Sequence, residues 1–145
     1  TFKLVVIGNS KNYKEKCIEY IKRNNLTNKV FFIHKITQQE IASIYQSAQI
    51  LIYPSIYEGF GIPILESLYS KTPVITTKNG CFKEAGGPNT KYINPLSVAE
   101  IKNEVINISS SKETQNKMKE EGIKYAQKFN NAHIGKNLIT LYKTL

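Results

Sequence analysis

Glu58 and Glu66, two carboxylates with seven residues between them, have the type and spacing to do chemistry. They lie within Pro54 to Glu66, which reads Pro-Ser-Ile-Tyr-Glu-Gly-Phe-Gly-Ile-Pro-Ile-Leu-Glu. A carboxylate repels phosphate but accepts hydrogen bonds from hydroxyls, and its two oxygens suit two adjacent hydroxyls of a sugar. Between the glutamates, Gly59 and Gly61 open backbone angles closed to other residues and allow close approach to a ligand. Ile62 then begins a helix whose first N–H groups lack partners, an arrangement that suits an anion. Pro54 ends the strand-like run Gln49 to Tyr53, and Pro63 fits a first helical turn, where its missing N–H would have no partner anyway. The joint reading is a diphosphate held by Gly59, Phe60, Gly61 and Ile62, with sugar on either side: a nucleotide-sugar. Each glutamate alone has a plainer reading. The helix dipole favours a Glu in the first turn by about 0.3–1 kcal/mol, and Glu58 would serve as a solvated loop charge.

This stretch, followed by the short strand Pro73-Val74-Ile75, resembles the Glu-x7-Glu signature of the retaining glycosyltransferases with the GT-B fold, the large family four group. The likeness extends loosely over most of the chain, and its thirteen-residue centre is specific. It implies a donor-binding domain in which Glu66 holds the nucleotide ribose and Glu58, in the catalytic position, lies by the donor sugar. It also implies no cofactor beyond the nucleotide-diphosphate sugar and no metal. Phe32-Ile33-His34-Lys35-Ile36 stands where the family commonly has Phe-x-Gly-x-Val. By that match Ile36 packs on the nucleotide base and backbone groups near His34 read its edge, although an incidental strand-end histidine remains open for His34. Glu84 matches a family glutamate read as ordering its loop, and Lys78 is either an extra phosphate contact or a solvent lysine.

The sequence departs from the family pattern in three places. The family's first phosphate contacts, an arginine and a lysine, belong to a segment upstream of Phe2. Its Gly-x-Gly turn is reduced to Gly8-Asn9-Ser10, and Lys71 replaces a glycine after the elbow helix. A left-handed lysine there would cost about 1 kcal/mol. GT-B enzymes resemble two Rossmann-like domains facing a cleft, and 145 residues leave room for one. The expectation is a single domain over residues 1–145, the C-terminal half of such an enzyme, without its N-terminal acceptor domain.

Twenty Lys plus Arg against eleven Asp plus Glu give a net charge of +9, with Arg23 the one arginine. The lysines are scattered rather than interleaved with aromatics, which argues against nucleic acid. An anionic membrane surface and a lysine-rich solvated surface are both open. Cys17 and Cys81 stand apart without ligand-forming neighbours, as reduced thiols of a cytoplasmic protein would. Neither His34 nor His133 has a partner spaced for a triad or a metal. No apolar run approaches the roughly 20 residues needed to span a bilayer.

Apolar runs at Phe2 to Ile7, Val30 to Ile33, Gln49 to Tyr53, Pro73 to Thr76 and Lys91 to Ile93 predict strands, the first of them buried. Helical spacing predicts helices over Tyr13 to Asn24 and from Ile62 to Ser70, the latter apolar nearly all round. Capping boxes at Thr37/Glu40, Ser97/Glu100 and Ser110/Glu113 open further helices, and Ile134, Leu138, Leu141 and Tyr142 mark a last one. Gly80 to Pro88 reads as loop. The alternation predicts an α/β fold, a doubly wound Rossmann-like parallel sheet of about five strands with helices on both faces and C-terminal helices.

The expected function is the donor domain of a retaining hexosyltransferase acting on a saccharide or lipid-linked acceptor in cell-surface polysaccharide synthesis. Backbone N–H groups from Phe60 to Ile64 would stabilise charge growing on the departing diphosphate. Two alternatives stand beside it. An epimerase or phosphorylase of the same fold would carry acid/base pairs or a cofactor lysine, and a non-catalytic doubly wound module would bind no nucleotide.

Overall fold

The computed structural model describes residues 2–8 and 12–144. In place of the one sheet of about five strands expected, the described residues form five strands that pair in parallel as two sheets, one ordered β1-β2 and the other β3-β4-β5. The chain divides into two compact units, Thr1–Glu40 and Ile41–Leu145.

The first unit contains β1 (Leu4–Ile7), α1 (Asn12–Arg23) and β2 (Val30–Ile33). Leu4 lies opposite Val30 and Ile7 opposite Ile33. The apolar run of β1 was expected to be buried, yet Leu4, Val5 and Ile7 are each more than 40% exposed. A pair of strands offers each residue too few neighbours for full burial, which takes a wider sheet or a covering helix. Of the shortened turn Gly8-Asn9-Ser10, the last two residues lie outside the described residues.

The second unit contains α2 (Gln38–Ser47, entered from the first unit), β3 (Leu51–Tyr53), α3 (Ile62–Tyr69), β4 (Val74–Thr77), α4 (Phe82–Gly86) and β5 (Lys91–Ile93). It ends with α5 (Val98–Ser110), α6 (Lys112–Ala126), a 3₁₀ turn at Gln127–Phe129 and α7 (Asn131–Tyr142). Every residue of β4 is buried. Successive side chains of a strand point to opposite faces, and the core divides accordingly. Val74 packs with Ile64 and Leu68 of α3, Phe82 and Ala85 of α4, and Ala126. Its neighbour Ile75 packs with Ile93, with Ile108 of α5 and with Met118 of α6. Helices therefore cover both faces of this sheet, as the alternation of elements predicted. Gly122 lets α6 approach α3 closely, since a Cβ there would come within 2.9 Å of Leu68 Cδ2.

Three local expectations change. The loop-like stretch after Gly80 contains the short helix α4, whose Phe82 and Ala85 are core residues that glycine punctuation concealed. The third capping box is displaced by one residue, because Ser111 accepts from the N–H of Thr114 and so caps α6. Helix α3 is not enclosed all round: Ile64, Ser67 and Leu68 are buried, whereas Ile62 and Tyr69 are exposed. Among the described residues no helix is long and apolar enough to cross a membrane.

Candidate functional site

The elbow between β3 and α3 is built from β4 outward. The Thr76 hydroxyl donates to the Tyr53 carbonyl at 2.8 Å, and the Thr77 hydroxyl donates to the Ser55 carbonyl. The Cys81 thiol donates to the Glu58 carbonyl at 3.3 Å. The carbonyl that ends β3 and two carbonyls of the irregular segment after it are thereby satisfied from a buried strand and the start of α4, which fixes a loop that has no ladder of its own. Sequence reasoning missed these groups. The available signal was a pair of threonines ending a buried strand, where hydroxyls need partners.

Gly61 carries the turn. Its φ of 99° and ψ of 48° are left-handed, and it caps α3 with its carbonyl accepting from the Ile64 N–H at 2.9 Å. A Cβ there would crowd Ile64 Cδ1 at 3.1 Å. Gly59 differs from expectation: its φ is not positive, and a Cβ there would meet nothing within 4 Å. Its contribution is open space beside the backbone, not an unusual angle. Phe60 packs its ring edge-on to Phe129, with centroids 5.6 Å apart.

The expected row of N–H donors from Phe60 to Ile64 is shorter than proposed, because Pro63 has no N–H and that of Ile64 is bonded to Gly61. The N–H groups of Phe60, Gly61 and Ile62 have no acceptor among the described residues. Three adjacent N–H groups at a helix N-terminus are therefore left without a partner among the described residues.

Both carboxylates flank this row and both are half-buried. Glu58 Oε1 accepts from Tyr53 Oη at 2.6 Å and from Ser55 Oγ at 2.9 Å. Those two hydroxyls, Tyr53 first, hold the Glu58 carboxyl below the usual carboxylate range, so it is ionised well into the acid region. Glu66 is the fifth residue of α3, beyond the first turn, where the dipole effect has fallen away. The plainer reading of Glu66 as a dipole-stabilising residue therefore loses its basis. Tyr45 Oη on α2 donates to Glu66 Oε2 at 3.3 Å.

The other expected positions belong to other elements. His34 and Ile36 belong to the first unit, just past β2. His34 Nδ1 is 2.7 Å from the Gly8 carbonyl and its Nε2 lies 2.5 Å from Lys14 Nζ, so the ring donates through Nδ1 and accepts from the ammonium. Lys35, next to it, is left-handed with φ 54°. Glu84 is exposed on α4, and its backbone carbonyl, not its side chain, takes a 2.6 Å bond from Tyr125 Oη. Lys78 and His133 are exposed. Among the described residues no three His, Cys, Asp or Glu side chains gather to hold a metal ion.

A parallel sheet covered on both faces, with a glycine elbow leading from a strand end into a helix N-terminus, defines a Rossmann-like α/β domain. The family model described as glycosyl transferases group 1 matches residues 1–125, and the chain belongs to that family. It is 34% identical over 95 residues to the O-antigen chain mannosyltransferase RfbU of Salmonella typhimurium, covering 66% of this chain and 27% of that protein. Against O-antigen chain mannosyltransferase B of Escherichia coli it is 23% identical over 127 residues, covering 88% and 33%. The chain thus spans about a quarter to a third of these relatives. Among solved structures, the C-terminal domain of the glycosyl transferase group 1 family protein LpcC from Francisella tularensis is 28% identical, with a TM-score of 0.79 over 88% of this chain and 69% of that one. Anabaena HepE in complex with UDP superposes with a TM-score of 0.88 at 19% identity, over 99% of this chain and 41% of that one. The fold is that of the Rossmann-like C-terminal domain of GT-B glycosyltransferases.

Proposed function

We propose that residues 1–145 serve as the donor-binding domain of a retaining glycosyltransferase that moves a hexose from a nucleotide diphosphate to a saccharide or lipid-linked acceptor. The observation that carries this reading is the elbow itself: three unpaired N–H groups, at Phe60, Gly61 and Ile62, between two half-buried carboxylates. Mannose is the hexose we favour, since the relatives matched above are named as mannosyltransferases. The UDP complex of Anabaena HepE supports a nucleotide at this fold.

In this proposal the diphosphate lies against the three N–H groups, with Gly59 leaving room beside it. As the sugar departs, negative charge grows on the diphosphate oxygens, and donors already in place stabilise it without reorganisation or a metal. Glu66 accepts from the ribose hydroxyls and Glu58 from a hydroxyl of the donor sugar. Within the first unit, Ile36 and the backbone near His34 are the groups proposed to meet a nucleotide base. The +9 charge supports contact with anionic lipid at the cytoplasmic membrane face, where a lipid-linked acceptor would be met.

The test is calorimetric titration of the full-length enzyme with UDP, GDP and ADP, repeated with Glu66→Ala. Saturable binding that prefers one base, weakened about tenfold to a hundredfold in the variant, is expected from the loss of hydrogen bonds to a charged group. Unchanged binding in Glu66→Ala would remove the ribose role. No binding of any nucleotide would overturn the donor reading. Product analysis with a mannose-bearing donor then reads the anomeric outcome.

A further inference from the structure

The two carboxylates of the elbow are gripped in the same way but not to the same degree. Glu58 Oε1 accepts two hydrogen bonds, from Tyr53 Oη at 2.6 Å and Ser55 Oγ at 2.9 Å, which fills both of its lone-pair directions. Glu66 Oε2 accepts one, from Tyr45 Oη at 3.3 Å, and keeps a lone pair. Among the described residues neither Glu58 Oε2 nor Glu66 Oε1 has a partner.

The tyrosines are themselves fixed. The Tyr53 carbonyl accepts from Thr76 Oγ1 at 2.8 Å and the Tyr45 carbonyl from Thr72 Oγ1 at 2.5 Å. Thr72 and Thr76 are buried, so both anchors start from the packed side of the sheet. Burial, then the Glu66 charge, pushes the Tyr45 phenol up to about 12, and burial also raises that of Tyr53. Both phenols therefore remain protonated donors at neutral pH.

We propose that Tyr53 and Tyr45 are the positioning residues of the two carboxylates, and that they divide the work of the site between a carboxylate with one free oxygen and a carboxylate that can use both. This rests on the donor-binding reading above. Tyr53 with Ser55 saturates one oxygen of Glu58, leaving Oε2 as the one oxygen free to accept from the donor sugar. Tyr45 occupies half of one oxygen of Glu66, so this carboxylate still receives a vicinal diol through both oxygens, as the ribose presents. A two-oxygen grip on the sugar, which the sequence left open for either glutamate, is thereby assigned to Glu66 alone.

Among the described residues the titratable groups bonded to Glu58 are Tyr53 from β3 and Cys81 at the start of α4, whose thiol donates to the Glu58 carbonyl. No lysine pairs with Glu58 among the described residues. Because its carboxyl is held low, ionised Glu58 is present at neutral pH and is lost only as pH falls through that depressed value. Removing the Tyr53 hydroxyl moves that loss to higher pH.

The experiment compares Tyr53→Phe and Tyr45→Phe in the full-length enzyme, reading nucleoside diphosphate affinity by calorimetry and kcat across pH. Hydrogen bonds to charged groups set the scale, so Tyr45→Phe is expected to weaken nucleoside diphosphate binding about threefold to tenfold, with the acid limb of the pH profile unmoved. Tyr53→Phe is expected to leave that binding within about twofold, lower kcat about tenfold and shift the acid limb upward. Ser55→Ala, which removes the second donor to the same oxygen, should act as Tyr53→Phe does, more weakly, and serves if a phenylalanine variant folds poorly. Equal losses of binding and kcat in both tyrosine variants, or no change in either, would overturn the assignment while wild-type nucleotide binding stands. Failure of the wild type to bind any nucleotide would instead overturn the donor reading, and the assignment with it.

Discussion

The β1-β2 pair and the β3-β4-β5 sheet reverse what their sequences suggest. Strand β1 reads Leu-Val-Val-Ile and β4 reads Val-Ile-Thr-Thr, yet three of the β1 side chains are more than 40% exposed whereas every residue of β4 is buried. Apolar composition permits burial, but neighbours on both faces create it. β4 has them, with α3 and α4 against Val74 and α5 and α6 against Ile75. Its two threonines are tolerated at full burial because their hydroxyls bond the carbonyls of Tyr53 and Ser55. The polar end of the most buried strand is thus what shapes the elbow.

The sharpest way to break this contrast is a matched pair of truncations. Ile64 is fully buried against Val74, so Ile64→Ala should lower unfolding free energy by about 2–5 kcal/mol through lost burial and a cavity. Val5→Ala, at a half-open strand, should cost about 1 kcal/mol or less. Denaturant titration of both variants decides it. Equal losses would mean that β1 is as deeply packed as its sequence suggests.

A smaller effect separates the two glycines of the elbow. Gly61→Ala places a Cβ on a left-handed residue beside Ile64 Cδ1 and should destabilise by about 1–2 kcal/mol. Gly59→Ala meets open space with ordinary backbone angles and should leave stability within about 0.5 kcal/mol. If the diphosphate occupies that space, Gly59→Ala should nevertheless weaken nucleotide binding in the same calorimetric titration. A variant that loses neither stability nor affinity would empty Gly59 of its proposed role.

What could be read from the sequence follows from the range of the interactions. Strands β2 and β5 match their expected bounds because composition and flanking breakers are local, and the Thr37/Glu40 box forms as written, with Glu40 accepting from both the N–H and the hydroxyl of Thr37. The elbow was legible for the same reason, being one contiguous stretch. The hydroxyls that hold it were not. Tyr45 to Glu66 spans 21 positions, and Thr76 and Thr77 reach back more than 20 to their carbonyls. No periodicity encodes such pairs, and Tyr53 looks in sequence like one more apolar strand residue. Helix α4 was hidden by Gly80, Gly86 and Gly87, of which Gly87 exists to let Tyr125 pack, a Cβ there falling 2.6 Å from its ring.

The finest test of the contrast uses strain that both units share. Helix α3 ends in a Schellman arrangement, with the N–H of Thr72 on the Ser67 carbonyl and that of Lys71 on the Leu68 carbonyl. That motif wants glycine where Lys71 stands at φ 57°, so the departure noted in the sequence is a real left-handed lysine. Lys35 in the first unit is left-handed as well, at φ 54°. Relief of the Cβ clash, less the entropy that glycine adds to the unfolded chain, makes Lys71→Gly stabilising by about 0.5–1 kcal/mol. Lys35→Gly relieves the same strain, but a thinly buried two-stranded unit that opens before the rest would not report it in the global transition. Lys71→Gly should therefore raise the denaturation midpoint while Lys35→Gly leaves it in place and slows amide exchange only within residues 1–40. An equal rise in both midpoints would show that the two sheets unfold as one cooperative body, and that the exposure of β1 does not make it weak.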